Sequence, residues 1–450
     1  MTLTILMIGI PGLLLLAALA FPLTSRPAAC ATLVMVCYLI ETTLLTQPGI
    51  SLGLTIYPTD VAFALMFVAM VLRYAMGQAR LNSARSVMVF LFLLYLLALV
   101  RGFARYGVKL PGVEGRGMFY YFTGLLYFGS FQFRARMRAS ILNVWIVSSL
   151  LLVVIIVLRW AAVIAGLGIV ATWQEAYGVG FRVVNAESAS VLAMAFFASM
   201  FMHTHRIGPL WQRNLHYLFG PMVLLLQHRT VWGMMLIGFL WLGTQEKRFR
   251  RQAIAGFVML AVLGAVASLF LFGSRTAEML ASLQYAASNE DTFFWRLAGW
   301  YQLVFTNHAR TLFNDILGQP FGTGFPRWIG GEMVDTAPHN YYLEFFLRLG
   351  VVGLGVWLWL YRWGVRRMKR LARALPGAAF PDPRFWALVL ILQLVYSIGY
   401  GIPYEQSILT GVALAGLGLH SPSPAKAQPA KRASVPHSPS ATDKPGEVSA

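Results

Sequence analysis

The chain reads as a succession of long apolar runs separated by short polar breaks. A bilayer-spanning helix needs about 20 mainly apolar residues. Runs approaching that length lie near 3–23, 28–46, 58–76, 86–103, 117–133, 140–166, 188–203, 215–227, 230–245, 253–273, 341–361, 385–402 and 405–420. Those at 215–227 and 405–420 are short and read as re-entrant segments or half-helices. The first run lacks a basic start and is followed by further spans, so it reads as a retained span. The pattern predicts an all-α polytopic membrane protein with about 12 transmembrane helices.

One polar stretch, 274–340, is much longer than the other breaks. It mixes polar, aromatic and Gly/Pro-rich segments, which predicts a small folded cap. The chain therefore divides into N-terminal transmembrane helices (1–187), central transmembrane helices (188–273), the cap with a candidate active site (274–340), C-terminal transmembrane helices (341–420) and a tail (421–450). The tail is rich in Pro, Ser, Ala and Lys and is expected to be disordered.

Composition agrees with the pattern. Hydrophobic residues make up 58% of the chain and charged residues 12%, with a mean hydropathy of +0.64, whereas soluble domains carry roughly 25% charged residues. The net charge of +19 collects in short loops: Arg73, Arg80 and Arg85; Arg134, Arg136 and Arg138; Lys247, Arg248, Arg250 and Arg251; and Arg362 to Arg373. Counting spans puts these on one face, which the positive-inside rule makes cytoplasmic, with the tail on the same side. The charge then reflects topology and contact with anionic membrane lipids, not nucleic acid. Cys30 and Cys37, both in the second run, give no disulfide or metal framework. There is no P-loop or Rossmann unit.

The opposite face receives 104–116, 167–187 and the cap. The cap ends in Thr336-Ala337-Pro338-His339-Asn340-Tyr341-Tyr342-Leu343-Glu344, which sets one imidazole just before an apolar helix, a natural place for proton transfer. A helix-capping histidine beside interfacial Tyr341 and Tyr342 is the simpler alternative. The arginines of this face need their own account. Arg229 sits beside Gln227 and His228 between two apolar runs; it either snorkels to the interface or faces a polar cavity. Arg296, Arg275, Arg116 and Arg182 also fall on this side. Several guanidinium groups near one histidine suit a diphosphate, because Arg binds phosphate oxygens in bidentate fashion and can neutralise them without a metal. The cap's carboxylates (Glu290, Asp291, Asp315, Glu332, Asp335) lack the spacing of a divalent-metal site, so no metal or other cofactor is expected. The glycines of Gly318-Gln319-Pro320-Phe321-Gly322-Thr323-Gly324 are better suited to a tight turn than to a nucleotide loop.

These elements together resemble the O-antigen ligase and O-antigen polymerase superfamily of bacterial inner-membrane glycan transferases. The elements are Arg229 before an apolar helix, Arg296 followed by Trp300, the Gly318–Gly324 turn, Pro338-His339-Asn340, and Leu343-Glu344 leading to Leu349-Gly350-Val351-Val352-Gly353. The resemblance covers roughly residues 188–400, and the N-terminal half matches only as a set of spans. The chain has His228-Arg229 where members of the superfamily often have Ser-Arg. The resemblance implies a GT-C-like helical fold with a periplasmic helical cap in the bacterial inner membrane. It also implies metal-independent transfer of a glycan from undecaprenyl diphosphate to a sugar hydroxyl, with inversion at the anomeric carbon if His339 acts as base in a single displacement. The acceptor is lipid A–core in a ligase and another lipid-linked glycan in a polymerase. Carried onto this chain, His339 is the base, while Arg229 and Arg296, with Arg275 and Arg116 as further candidates, hold the donor diphosphate. Asn340, Glu344 and Trp300 are candidate supporting residues; Asn340 capping its helix and Glu344 pairing with Arg348 are equally open. A polytopic lipid-glycan transporter is the competing reading from another class, and a non-catalytic scaffold a third.

Overall fold

A computed structural model describes residues 14–44, 48–51, 55–79, 82–167, 182–245, scattered positions between 250 and 266, 291–306, 309–374, 382–401 and 403–415. The tail 421–450 and the segment 267–290, with Arg275, lie outside the described residues. The chain is an all-α, multi-pass membrane protein. Its helices are α1 (Leu14–Thr24), α2 (Pro27–Thr43), α3 (Pro58–Ala75), α4 (Ser83–Tyr106), α5 (Lys109–Gly129), α6 (Ala135–Ile164), α7 (Ala186–His205), α8 (Leu210–Asn214), α9 (His216–Leu225), α10 (Arg229–Gly243), α11 (Asp291–Phe305), α12 (Leu312–Leu317), α13 (Tyr341–Ala374), α14 (Pro383–Tyr396) and α15 (Gln406–Ala415). The described strands form two antiparallel hairpins, β1–β2 (Ile50–Ser51 with Thr55–Ile56) and β3–β4 (Arg327–Ile329 with Glu332–Val334).

Local chemistry starts these helices where the polar breaks fall. Asn82 Oδ1 accepts from the Arg85 N–H at 3.0 Å, Asn185 Oδ1 from the Ser188 N–H at 3.0 Å, and Asn340 Oδ1 from the Leu343 N–H at 3.1 Å. Each bond satisfies one of the donors that a helix start leaves open. The core runs through the whole bundle. Helix α5 packs on α3, α4 and α15; α13 packs on α4, α12 and α14; and α7 packs on α6 and α9.

Five described helices are long and apolar enough to cross a membrane: α3, α4, α6, α7 and α13. The count is six if α1 and α2, bent by 115° at their break, form one span. The twelve or thirteen spans expected from hydropathy are therefore not reached among the described residues. The reason is physical. Apolar sequence measures burial, and burial against protein reads the same as burial in lipid. The runs at 230–245, 385–402 and 405–420 become the short apolar helices α10, α14 and α15, and α15 is buried along its whole length. Even the full-length α7 has 89% of its apolar window inside the protein.

Two glycine positions shape the end of the molecule that carries His339. Helix α13 is broken at Gly350 (φ 69°, ψ −176°), leaving a short helix over 341–349 and a long one from 351. A Cβ on Gly350 would lie 2.1 Å from the Ile316 carbonyl oxygen, and one on Gly318 would lie 2.1 Å from that of Arg348. The cap backbone thus crosses α13 at its break, where a side chain has no room. The Gly330–Gly331 turn of the β3–β4 hairpin, with both residues at positive φ, matches the twist of its strands for the same conformational reason.

Candidate functional site

Positive backbone φ at a residue other than glycine costs of order 1–3 kcal/mol. Among the described residues it occurs at Arg206, Gln227 and His339. Arg206 ends helix α7. The other two fall in the two polar motifs that stand out in the sequence.

His339 (φ 49°) lies between the buried Pro338 and the helix-capping Asn340, and its own side chain is exposed. Its backbone is held from the cap side: the Trp300 indole N–H donates to the Pro338 carbonyl at 2.6 Å. Its ring meets the Tyr400 ring edge-on, with centroids 6.4 Å apart. Desolvation, then the charges of Arg296 and Arg327, hold the imidazole below the ordinary histidine pKa. The neutral, proton-accepting form is therefore favoured near pH 7.

Arg296, on α11, shares Tyr400 with His339. Its guanidinium lies 5.5 Å from the Tyr400 ring centroid, and Nη1 donates to the Gly399 carbonyl at 3.3 Å. Gly399 also meets the Arg229 motif. A Cβ there would lie 2.5 Å from Thr230 Oγ1, so the first turn of α10 presses directly on this backbone. Arg229 opens that helix and is exposed. Behind it, Arg182 Nη2 donates to the Gln227 carbonyl at 2.9 Å, and the buried His228 ring bonds the Val184 carbonyl at 3.0 Å. Burial and Arg182 lower the His228 pKa to about 4, so His228 is a neutral structural imidazole.

The turn over Ser397–Gly401 is therefore a hub. Ser397 accepts from the Tyr341 N–H at 2.9 Å, Gly399 takes Arg296 and Thr230, Tyr400 faces His339, and Gly401 approaches Glu344 Oε2. The sequence reading missed this turn. Its signal was the aromatic, Gly- and Pro-rich break between the last two apolar runs, Tyr400-Gly401-Ile402-Pro403-Tyr404.

The remaining sequence candidates separate. Arg116 belongs to another cluster. Its Nε lies 3.3 Å from Asp60 Oδ1, Nη2 donates to the Thr55 carbonyl at 2.8 Å, and the guanidinium covers the Tyr57 ring at 4.9 Å. Asn340 caps helix α13. Glu344 is not the ion-pair partner of Arg348, because Arg348, fully buried, pairs with Glu114. Arg348 also donates to the Gly324 carbonyl at 2.7 Å, while Glu114 Oε2 accepts from the Gly322 N–H at 2.6 Å and the Gly324 N–H at 3.3 Å. One buried ion pair thus fastens the glycine turn of the cap to α5 and α13. Arg327, a further cation that the sequence reading passed over, is buried and bonded to the Phe325 and Thr336 carbonyls at 2.9 and 2.7 Å. It acts on His339 through its charge.

A neutral imidazole in an exposed residue, next to an arginine that makes a single hydrogen bond among the described residues, provides a proton acceptor beside an anion-binding group. Among the described residues no three His, Cys, Asp or Glu side chains converge to hold a metal ion. Comparison of the chain with protein-family models, with curated proteins and with solved structures gives no match.

Proposed function

We propose that the chain is an O-antigen ligase-like glycosyltransferase that moves a glycan from undecaprenyl diphosphate to a sugar hydroxyl at the periplasmic face of the bacterial inner membrane. The observation that carries this reading is the convergence of His339, Arg296 and the start of the Arg229 helix on the Ser397–Gly401 turn.

In this mechanism the His339 imidazole takes the proton of the acceptor hydroxyl as its oxygen attacks the anomeric carbon. The bond from that carbon to the diphosphate oxygen breaks, and its electron pair leaves with undecaprenyl diphosphate. Inversion follows from the single displacement. A positioned base contributes roughly 10²–10⁴-fold. Arg296 and Arg229 neutralise the charge that builds on the leaving diphosphate, by donors set in place before the reaction. The exposed ring of His339 then returns its proton to water.

The test is transfer by purified protein from an undecaprenyl-diphosphate glycan to lipid A–core in the presence of EDTA, with wild type and His339→Ala compared. Transfer that survives EDTA and is lost in the variant supports the ligase. Chain growth on lipid-linked units without transfer to lipid A–core makes the enzyme a polymerase of the same chemistry. Equal activity of the two proteins removes His339 from the mechanism.

A further inference from the structure

A groove near the Arg85 end of the bundle plays no part in the transfer mechanism. It runs between α4 and α13, has a volume of about 400 Å³, and is lined by Ser86, Val87, Phe90, Gly355, Val356 and Trp359. Gly355 keeps it open, because a Cβ there would meet no atom within 4 Å. Phe90 and Trp359 are exposed on its two sides. The apolar surface continues along α4 through the exposed Leu93 and Leu97. Ser86, Phe90, Leu93 and Leu97 recur at helical spacing and so share one face of α4.

The other end of the groove runs into charge. Each residue of a helix turns about 100°, which sets Gly355, Trp359, Arg362, Arg366 and Arg370 of α13 within an arc of about 80°. The three arginines are exposed. Among the described residues no carboxylate pairs with any of them. Where the apolar part meets the charged part, Trp359 stacks on Trp363 with ring centroids 5.9 Å apart. Indoles at such a junction mark a membrane–water interface. An apolar groove alone accepts any lipid chain, and a basic stripe alone attracts any anion. Their continuity along one helix face selects a molecule that has both an apolar chain and an anionic head.

We propose that this groove binds one anionic glycerophospholipid, with an acyl chain lying between α4 and α13 along Gly355 and Phe90 and the phosphate on Arg362 and Arg366. The two arginines lie about 4.5 and 10.5 Å beyond Trp359 along the helix axis. That is the headgroup region once the indole sits at the interface. Arginine holds phosphate oxygens in bidentate geometry. The inference does not depend on the transferase reading.

The experiment is native mass spectrometry of full-length protein in detergent, titrated with phosphatidylglycerol, phosphatidylcholine of the same chains, and undecaprenyl phosphate. Single lipid-binding events give an apparent affinity for each. One phosphatidylglycerol should bind about tenfold tighter, or more, than phosphatidylcholine, since each basic residue at a membrane surface contributes about fivefold. Arg362→Gln/Arg366→Gln should abolish that preference. Gly355→Leu fills the groove without touching the charge and should weaken phosphatidylglycerol binding as well. Equal affinity for the two phospholipids, a preference that survives loss of both arginines, or unchanged binding to Gly355→Leu overturns the proposal. Undecaprenyl phosphate that outcompetes phosphatidylglycerol in wild type but not in Gly355→Leu makes the occupant a polyprenyl lipid and also overturns it. A dimer that is lost in Gly355→Leu, with no lipid preference, makes the groove a subunit contact instead. If Gly355→Leu yields no folded protein, Trp359→Ala, which removes one wall of the groove, decides by the same criteria.

Discussion

Two arginines at one end of the helical bundle and one at the other are used in opposite ways. At the end where α3 stops and α4 begins, Arg73 and Arg85 are buried and saturated. Arg73 bonds Ser130 Oγ at 2.8 Å and the Thr24 carbonyl, and covers the Phe131 ring at 3.5 Å. Arg85 bonds the carbonyls of Gly129 at 2.8 Å and Phe131 at 3.2 Å. Arg85 serves the carbonyls at the C-terminus of α5, and Arg73 Nη2 reaches the Ser130 carbonyl there at 3.4 Å, where positive charge is favoured. At the other end Arg296, with five N–H donors, makes one 3.3 Å hydrogen bond among the described residues and rests on a tyrosine ring. The charge of Arg73 and Arg85 is consumed by the fold. The Arg296 charge remains available to a ligand, and it lies beside a strained histidine.

This contrast can be broken experimentally, and the largest effect is expected at His339. Replacing it by alanine should lower glycan transfer by roughly 10²–10⁴-fold with little change in the unfolding midpoint, because the side chain is exposed; transfer assays and thermal melts on the same preparation decide. Next in size is the buried latch. Arg348→Met should destabilise the protein by about 3–5 kcal/mol by stranding Glu114, read as a fall in the denaturation midpoint. The double variant Arg348→Met/Glu114→Leu should recover part of that loss, and a double variant no better than the single one would count against the pair.

A smaller effect is expected at the hub. Gly399→Ala sets a methyl against Thr230 Oγ1, an overpacking worth about 1–3 kcal/mol, and should reduce transfer by displacing the turn that carries Tyr400. Thr230→Gly in the same chain should restore it; failure of that rescue would place the damage elsewhere. The finest test is the pH profile. Transfer needs neutral His339, so it rises with pH through the histidine pKa, which desolvation and the two arginines hold below the ordinary value of about 6.5. Arg296→Gln removes one of those charges and should move the acid limb to higher pH, whereas an unshifted limb would separate Arg296 from the imidazole.

Several of these features were legible in the chain. The all-helical membrane character follows from composition. The motifs around Gln227-His228-Arg229 and His339 stand out because polar groups between apolar runs are costly, and both carry positive-φ residues in the structure. The number of crossings was not legible. The run at 385–402 looks like membrane to a hydropathy count, yet its described helix, α14, is short and packs against α10 and α13. Nor could the partners of the charged groups be read. Glu344 and Arg348 have the i, i+4 spacing of an ion pair, but Arg348 turns to Glu114, far away in sequence, because the cap's glycine turn offers carbonyls and N–H groups to that pair.

The sequence by itself determined what is local: where helices start, which stretches are apolar, and which few residues can exchange a proton or bind an anion. Those properties depend on side-chain chemistry and on neighbours a few positions away. Only the tertiary structure decided which arginines are spent on the fold and which remain for a ligand, that the Ser397–Gly401 turn joins Arg296, α10 and His339, and that α4 and α13 leave a groove between them. These depend on contacts between residues tens to hundreds of positions apart, set by how the helices pack together and not by the pattern along any one of them.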